Sequence, residues 1–306
     1  MCALQVVLDK GQEDDWFASS LITDLSLTAV LALAGFVVWE LRRSEPIVDL
    51  RLLGNRSFAF GNLLMFMLGF VLLASTVLLP LFVQMLLGYT ATDAGLVLSP
   101  GGFALMLMMP VIGALVGKVD ARWLIALGLV VTSLALFHMT NFDTEIDYGT
   151  VAWARVYQSL GLALLFIPIN TAAYDGVPPE QNNNASAIIN MMRNLGGSIG
   201  IAIVTTFIAR RQQYHQSVLV DHVTPYRTQS NDFLHSLQQS VLAQHASAVD
   251  ALHQAQALLF AMVQKQAALL SYLDGFWLMS VVLIALVPLV FAIRRTEHRV
   301  GPLPAH

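Results

Sequence analysis

Residues 58–86 read FAFGNLLMFMLGFVLLASTVLLPLFVQML, a run without one charged side chain. A helix of roughly 20 largely apolar residues crosses about 30 Å of hydrocarbon. An open sheet would leave backbone groups unpaired in lipid, so a helix is the form such a run takes there. Six further runs meet the same test: 20–39, 94–117, 123–140, 151–173, 185–209 and 269–293. The sequence therefore predicts an all-α membrane protein with seven transmembrane helices.

Composition points the same way. Of 306 residues, 56% are hydrophobic and only 12% charged, and the mean hydropathy is +0.65. A soluble domain carries about 25% charged residues, so a water-facing surface of ordinary area cannot be built here. The lipid bilayer is the expected surrounding. A net charge of −4 with no basic run argues against nucleic acid as a partner. Cys2 is the lone cysteine, which excludes disulfides within the chain and cysteine-based zinc sites. No cofactor or metal is expected, and no HExxH, GxSxG or GxxxxGK[ST] pattern marks a catalytic residue. The first fifteen residues are acidic rather than basic then apolar, unlike a cleavable signal.

Basic residues set the orientation. One set of loops holds Arg42, Arg43, Arg51 and Arg56, then Lys118 and Arg122, then Arg294, Arg295 and Arg299. The alternate set holds Lys10, nothing basic at 87–93, and the acids Asp143, Glu145 and Asp147. The first set is expected to be cytoplasmic, which puts the C-terminus inside and the N-terminus outside. The long polar loop 210–268 then lies outside, with Arg210, Arg211, Arg227 and Lys265 too spread to weigh against this. Met1–Lys10 reads as the outer end of a preceding helix cut through its middle, and the expectation is a fragment or a late start codon.

Five segments stand out: LQVVLDKGQEDDWF at 4–17, PIVDLRLLGNRSF at 46–58, STVLLPLFVQMLLGYTATDAGLVLSPGG at 75–102, NASAIINMMRNLGGSIGIAI at 184–203 and SYLDGFWLMS at 271–280. Together they resemble the fourteen-span drug:proton antiporters, the EmrB/QacA group of the major facilitator superfamily. The resemblance runs from Leu4 to about Arg295. It implies the C-terminal half of such a protein, with residues 1–19 as a truncated helix end and external loop. Residues 20–40 would be an extra central span, 41–57 a cytoplasmic loop and 294–306 a cytoplasmic tail. Residues 58–293 would form one six-helix bundle of two inverted three-helix repeats, including the external helical loop 210–268.

What the resemblance implies about function is export of small lipophilic drugs or toxic compounds, driven by protons moving inward across the bacterial inner membrane. It also implies a missing N-terminal half, or a second copy in its place. The alternative is a truncated, non-transporting protein that docks to a partner or is inactive.

Candidate functional residues come from polar groups inside apolar runs. On the first long span Asn62, Phe66, Thr76 and Gln84 fall on one helical face, to line protein or a cavity. Met65, Phe66, Met67 and Phe70 are adaptable apolar material for such a cavity, or else plain packing and lipid contact. Gln158 and Asn170 repeat this on 151–173, where Arg155 is expected to cap the outer end. On 185–209, Asn190, Arg193 and Asn194 join a small, polar face with Gly197 and Gly200. Arg193 lies about 13 Å deep at 1.5 Å per residue, at a cost near 2.5–3.5 kcal/mol, so it is a coupling or gating candidate. The other reading has Arg193 snorkelling while Gly196 and Gly200 pack a helix pair. Asp274, at the outer edge of the last span, is a second coupling candidate or else structural.

The turn holding Gly113, Lys118, Asp120 and Arg122 resembles a degenerate copy of the superfamily's cytoplasmic loop motif. It reads as a conformational latch, or simply as a basic inner turn whose glycines allow close helix approach. The outer loop carries His215, His222, His235, His245 and His253, too scattered for a metal site. Asp232 is placed to cap a helix there, and Leu234, Leu237, Val241, Val249, Leu252 and Leu259 recur at helical spacing. One or two amphipathic helices follow. The resemblance implies a periplasmic membrane-fusion adaptor for them, against a helical cap closed on itself.

Overall fold

Nine α-helices organise residues 2–11, 19–43, 49–174, 177–224, 228–243 and 248–291, which this computed structural model describes. They are α1 (Cys2–Lys10), α2 (Ser20–Arg42), α3 (Arg56–Leu87), α4 (Ala91–Val116), α5 (Ala121–Met139), α6 (Tyr148–Tyr174), α7 (Asn182–Val220), α8 (Thr228–Leu242) and α9 (Ala248–Val290). All but α1 and α8 are long and apolar enough to cross a membrane, which gives the seven spans expected. The expected tail 294–306 lies outside the described residues, as do Arg227 and His245.

The short connections are closed by side-chain caps. Asn55 accepts the Ser57 N–H at 3.0 Å and opens α3. That helix stops at Gly88, whose φ of +71° lies in the left-handed region glycine enters without strain. Thr90 and Asp93 then form a capping box for α4, the Asp93 N–H donating to Thr90 Oγ1 at 3.2 Å and that hydroxyl donating to Asp93 Oδ2 at 2.7 Å. Asp120 accepts the Arg122 N–H at 3.1 Å ahead of α5, and Asp147 accepts the Thr150 N–H at 3.1 Å at the start of α6. Each cap pairs a backbone donor that the first helical turn would otherwise leave unpaired.

α3 is the central element. It packs along α7, against α6, and more lightly on α4 and α9; α5 lies on α6 and α9, and α4 on α6. α7 also packs along α9, and α4 and α5 share no contact of similar extent. The core between these helices holds Phe58, Leu64, Met65, Leu78, Leu136, Ile188 and Phe276. Phe82 meets Tyr272 and Phe276 edge to face, at centroid separations of 5.7 and 6.1 Å.

The membrane-flanking region differs from expectation. The loop 210–268 is not a separate unit: α7 runs on to Val220, and α9 begins at Ala248, far ahead of residue 269. Nothing between 210 and 220 or between 249 and 268 is glycine or proline, so no residue stops either helix when its apolar run ends. Only α8 is a distinct extra helix. Asp232 lies inside it rather than at its cap, because α8 starts at Thr228. Val241 is buried as expected, but Val249 is 67% exposed. The inward stripe of α9 is instead made by Ala251, Ala255 and Ala267.

α2 keeps Leu27, Val30, Leu31 and Trp39 exposed, and α4 does the same with Phe103, Met106, Leu107 and Val111. Such faces suit lipid or another apolar bundle.

Candidate functional site

Arg155 is the centre of the most polar interior cluster. It sits seven residues into α6, about 10 Å along the helix axis, and is 7% exposed. The expectation that it caps the outer end of the span is therefore corrected: its side chain turns inward to α3. Its Nη1 donates to Gln158 Oε1 at 2.6 Å and to Ser75 Oγ at 3.3 Å. Its Nη2 donates to Thr76 Oγ1 at 3.1 Å.

The two hydroxyls accept because their own protons are committed elsewhere. Ser75 and Thr76 both donate to the Leu72 carbonyl, at 3.2 and 2.6 Å. Every partner of the guanidinium is neutral, and among the described residues no carboxylate reaches it. Arg155 Nε and Gln158 Nε2 are buried with no acceptor. The cluster thus carries a positive charge and more donors than acceptors. On its α4 side the arginine stem lies against Gly101, where a Cβ would fall 2.8 Å from Arg155 Cγ.

A second polar group lies on α7. Arg193 Nη2 donates to Asn190 Oδ1 at 3.0 Å, and its guanidinium stands 5.7 Å from the Phe166 ring centroid. Asn190 and Asn194 are exposed and Arg193 half-buried. One turn on, Asn170 is half-buried and donates to the Phe166 carbonyl at 2.8 Å. The adjacent glycines serve close packing: a Cβ at Gly200 would lie 2.6 Å from the Phe70 carbonyl oxygen, and one at Gly196 would lie closer still to the Phe66 carbonyl oxygen. Gly69 on α3 meets the Arg193 carbonyl in the same way.

The remaining candidates are distributed. Asn62 is buried, donating to the Phe58 carbonyl at 2.8 Å while its Oδ1 finds no partner. Phe66 and Gln84 are half-buried. Met65 and Phe70 belong to the core, the packing alternative for these residues. The structure brings Thr76 and Gln158 together through Arg155 and Asn190 and Arg193 together beside Phe166, while Asn170 bonds within its own helix. It does not gather Asn62, Phe66, Gln84 and Asn194 with either group.

Asp274 on α9 is held by α7. Its Oδ2 accepts from Arg211 Nε at 2.5 Å and lies 2.7 Å from His215 Nε2. In the turn between α4 and α5, Asp120 caps α5, Lys118 is exposed, and Arg122 is half-buried with its Nε unpartnered. A Cβ on Gly113 would meet open space, so that glycine is not at a close helix contact. Sequence reasoning passed over Ser75, and treated Arg155 as interfacial. The signal was an arginine and a glutamine at i, i+3 inside an apolar run.

Comparison with known proteins places these features in context. The profile of the Major Facilitator Superfamily matches residues 13–201. The Multidrug export protein EmrB of Escherichia coli (strain K12) is 32% identical over 290 residues, 94% of this chain and 55% of that protein. The Fatty acid resistance protein FarB of Neisseria gonorrhoeae is 32% identical over 300 residues, 98% of this chain and 57% of that protein. The Lincomycin resistance protein LmrB of Listeria innocua is 29% identical over 201 residues, 66% of this chain and 42% of that protein. The chain spans about half the length of the curated relatives it matches.

Proposed function

Because the chain belongs to the Major Facilitator Superfamily, a family of membrane transporters rather than enzymes, we propose that it is part of a secondary exporter of lipophilic toxic compounds. Proton antiport drives it. The observation that carries this reading is the alignment of 94% of the chain with a multidrug export protein. Relatives named for fatty acid and lincomycin resistance support the same direction.

In this reading α3 to α7 and α9 are one transport bundle, and α2 is an additional span beside it. The exposed apolar face of α4 and the Arg193–Asn190 face of α7 meet a second bundle, supplied by another half or another copy. Arg193 gates or couples there, and Gly113, Lys118, Asp120 and Arg122 form the inner latch. The chain resides in the bacterial inner membrane with its N-terminus outside and its C-terminus cytoplasmic. The projecting parts of α7 and α9 with α8 then lie outside, where a periplasmic adaptor docks.

Dye efflux from cells lacking their own pumps tests this. Three proteins are compared: the chain itself, the chain joined to any in-frame upstream half, and that longer protein with Arg193→Ala. The expected result is export by the longer protein that is lost on Arg193→Ala. Export by the 306-residue chain alone would replace the second half with a second copy. No export from either form sinks the exporter reading in favour of a docking or inactive protein.

A further inference from the structure

We propose that Arg155, Gln158, Ser75 and Thr76 form a binding site for the carboxylate of a lipophilic organic acid. The proposal deepens the exporter reading by naming a substrate class, and it rests on that reading.

The argument starts from the hydrogen-bond inventory. A guanidinium has five N–H donors and no acceptor, and it stays charged. Here three bonds go to neutral oxygens, two from Nη1 and one from Nη2. The Nε–H has no acceptor, and neither does the Gln158 amide nitrogen. Nη2, with two hydrogens and one partner, has a donor to spare. The Nε and Nη2 edge is the one that takes a carboxylate in a side-on fork, and such charge-assisted bonds are roughly twice as strong as neutral ones.

The charge balance agrees. Neutral oxygens solvate a buried cation only in part, and an anion with matched geometry offsets the desolvation that burial imposes. A lipophilic cation arriving at the same place meets repulsion at low dielectric. The cluster therefore selects by charge as well as by hydrogen bonding.

Position supplies access for an amphiphile. Arg155, Gln158 and Ser75 are buried, while Thr76 is half-buried and the most exposed member of the cluster. Gly101 of α4 lies against the arginine stem and Ser159. α4 carries Pro100 and Pro110 within its length, and each removes a backbone hydrogen bond. A shift of α4 would admit a ligand past Gly101 to the cluster.

The test uses the purified full chain in lipid nanodiscs, with radiolabelled dodecanoate as probe at about pH 8, where a carboxylate is ionised. Unlabelled dodecanoate, dodecanamide and dodecyltrimethylammonium compete. The acid is expected to displace the probe at concentrations about tenfold lower than the amide or the ammonium. Arg155→Gln should weaken dodecanoate binding about tenfold or more and bring the three ligands level. Arg155→Lys should keep the preference for acid over ammonium at reduced affinity, since a point charge cannot form the fork.

Equal competition by all three ligands overturns the proposal. So does an Arg155→Gln protein, folded by circular dichroism, that binds dodecanoate within about twofold of the parent. If that variant does not fold, the ligand series on the parent chain decides alone. If dodecanoate does not bind but Arg155→Gln abolishes pairing with a second bundle, the carboxylate is a protein side chain and the substrate assignment falls. Binding and export fail separately: acid preference without any efflux leaves the site and removes the exporter, and efflux without acid preference does the reverse.

Discussion

Arg211 on α7 donates its Nε–H to Oδ2 of Asp274 on α9 at 2.5 Å, sixty-three residues apart in sequence, where the two helices leave the expected membrane run. His215, one turn further along α7, reaches the same oxygen, and the Tyr214 ring lies 5.0 Å from the Arg211 guanidinium. The side chains of Arg211 and Asp274 are 37% and 28% exposed, so water screens the pair and its worth is about 1 kcal/mol at most. Asp274→Asn is expected to lower the stability of the purified protein by about that much. A double-mutant cycle with Arg211→Gln, read by thermal unfolding in detergent, should return a coupling of roughly 0.5–1 kcal/mol. A coupling near zero removes Asp274 as a helix tie. Normal stability with lost export would instead return it to the coupling residues.

Helix α7 should tolerate no side chain where it crosses α3. At Gly196 an added Cβ meets the Phe66 carbonyl, a backbone atom that moves only if the helices part. Gly196→Ala is expected to cost about 1–3 kcal/mol, the range of overpacked cores. At Gly102 on α4 nothing lies within 4 Å of the built Cβ. Gly102→Ala should be neutral or stabilising by up to about 1 kcal/mol, through helix propensity and reduced unfolded-state freedom. The pair of variants, melted side by side, separates crossing from open glycines; equal melting temperatures would deny the close α3–α7 contact.

The spans were legible because hydropathy is a one-dimensional property: an uncharged run such as 58–86 has few alternatives in lipid. Two kinds of information were not. The first was where helices end. The extensions of α7 and α9 beyond their apolar runs are polar enough to read as loop, yet they contain no breaker, so they continue as helix to Val220 and from Ala248. The second was direction. Asn62, Phe66, Thr76 and Gln84 do share one face, but the face alone does not say which neighbour covers it. Gly69 and Gly196 decide that by letting α7 approach backbone to backbone. Arg155 was misplaced for the same reason. Charge near a span end argues for the interface, whereas Ser75 and Thr76 on a helix about eighty residues earlier draw it inward.

Two serines tie the last span to α5. Ser133 Oγ lies 2.9 Å from both Oγ and the carbonyl oxygen of Ser280, and Ser280 Oγ lies 2.9 Å from the Ser133 carbonyl. Both residues are buried. Hydrogen bonds between membrane helices are worth about 0.6 kcal/mol on average and rarely exceed 1.7. Ser133→Ala and Ser280→Ala should each cost about 1 kcal/mol, and the double variant less than the sum, because one change already strands the other hydroxyl. Strict additivity in a denaturant series would show that the two hydroxyls do not act as a pair.

The start of α6 should loosen in acid. Asp147 lies outside the spans, and its carboxyl is held below its ordinary value of 3.8, chiefly by the Thr150 hydroxyl and then by the Thr150 backbone N–H. The hydroxyl donates to Oδ1 at 2.5 Å and the N–H to Oδ2 at 3.1 Å. A depressed folded value means that the carboxylate stabilises this cap fully above its unfolded value. The contribution is lost as pH falls through the lower, folded value. Thr150→Val removes the leading cause, so the Asp147 titration should move up toward 3.8, read by carboxyl carbon NMR on selectively labelled protein. An unshifted titration in Thr150→Val would mean that the hydroxyl does not hold the carboxylate, and the cap would then rest on the backbone bond alone.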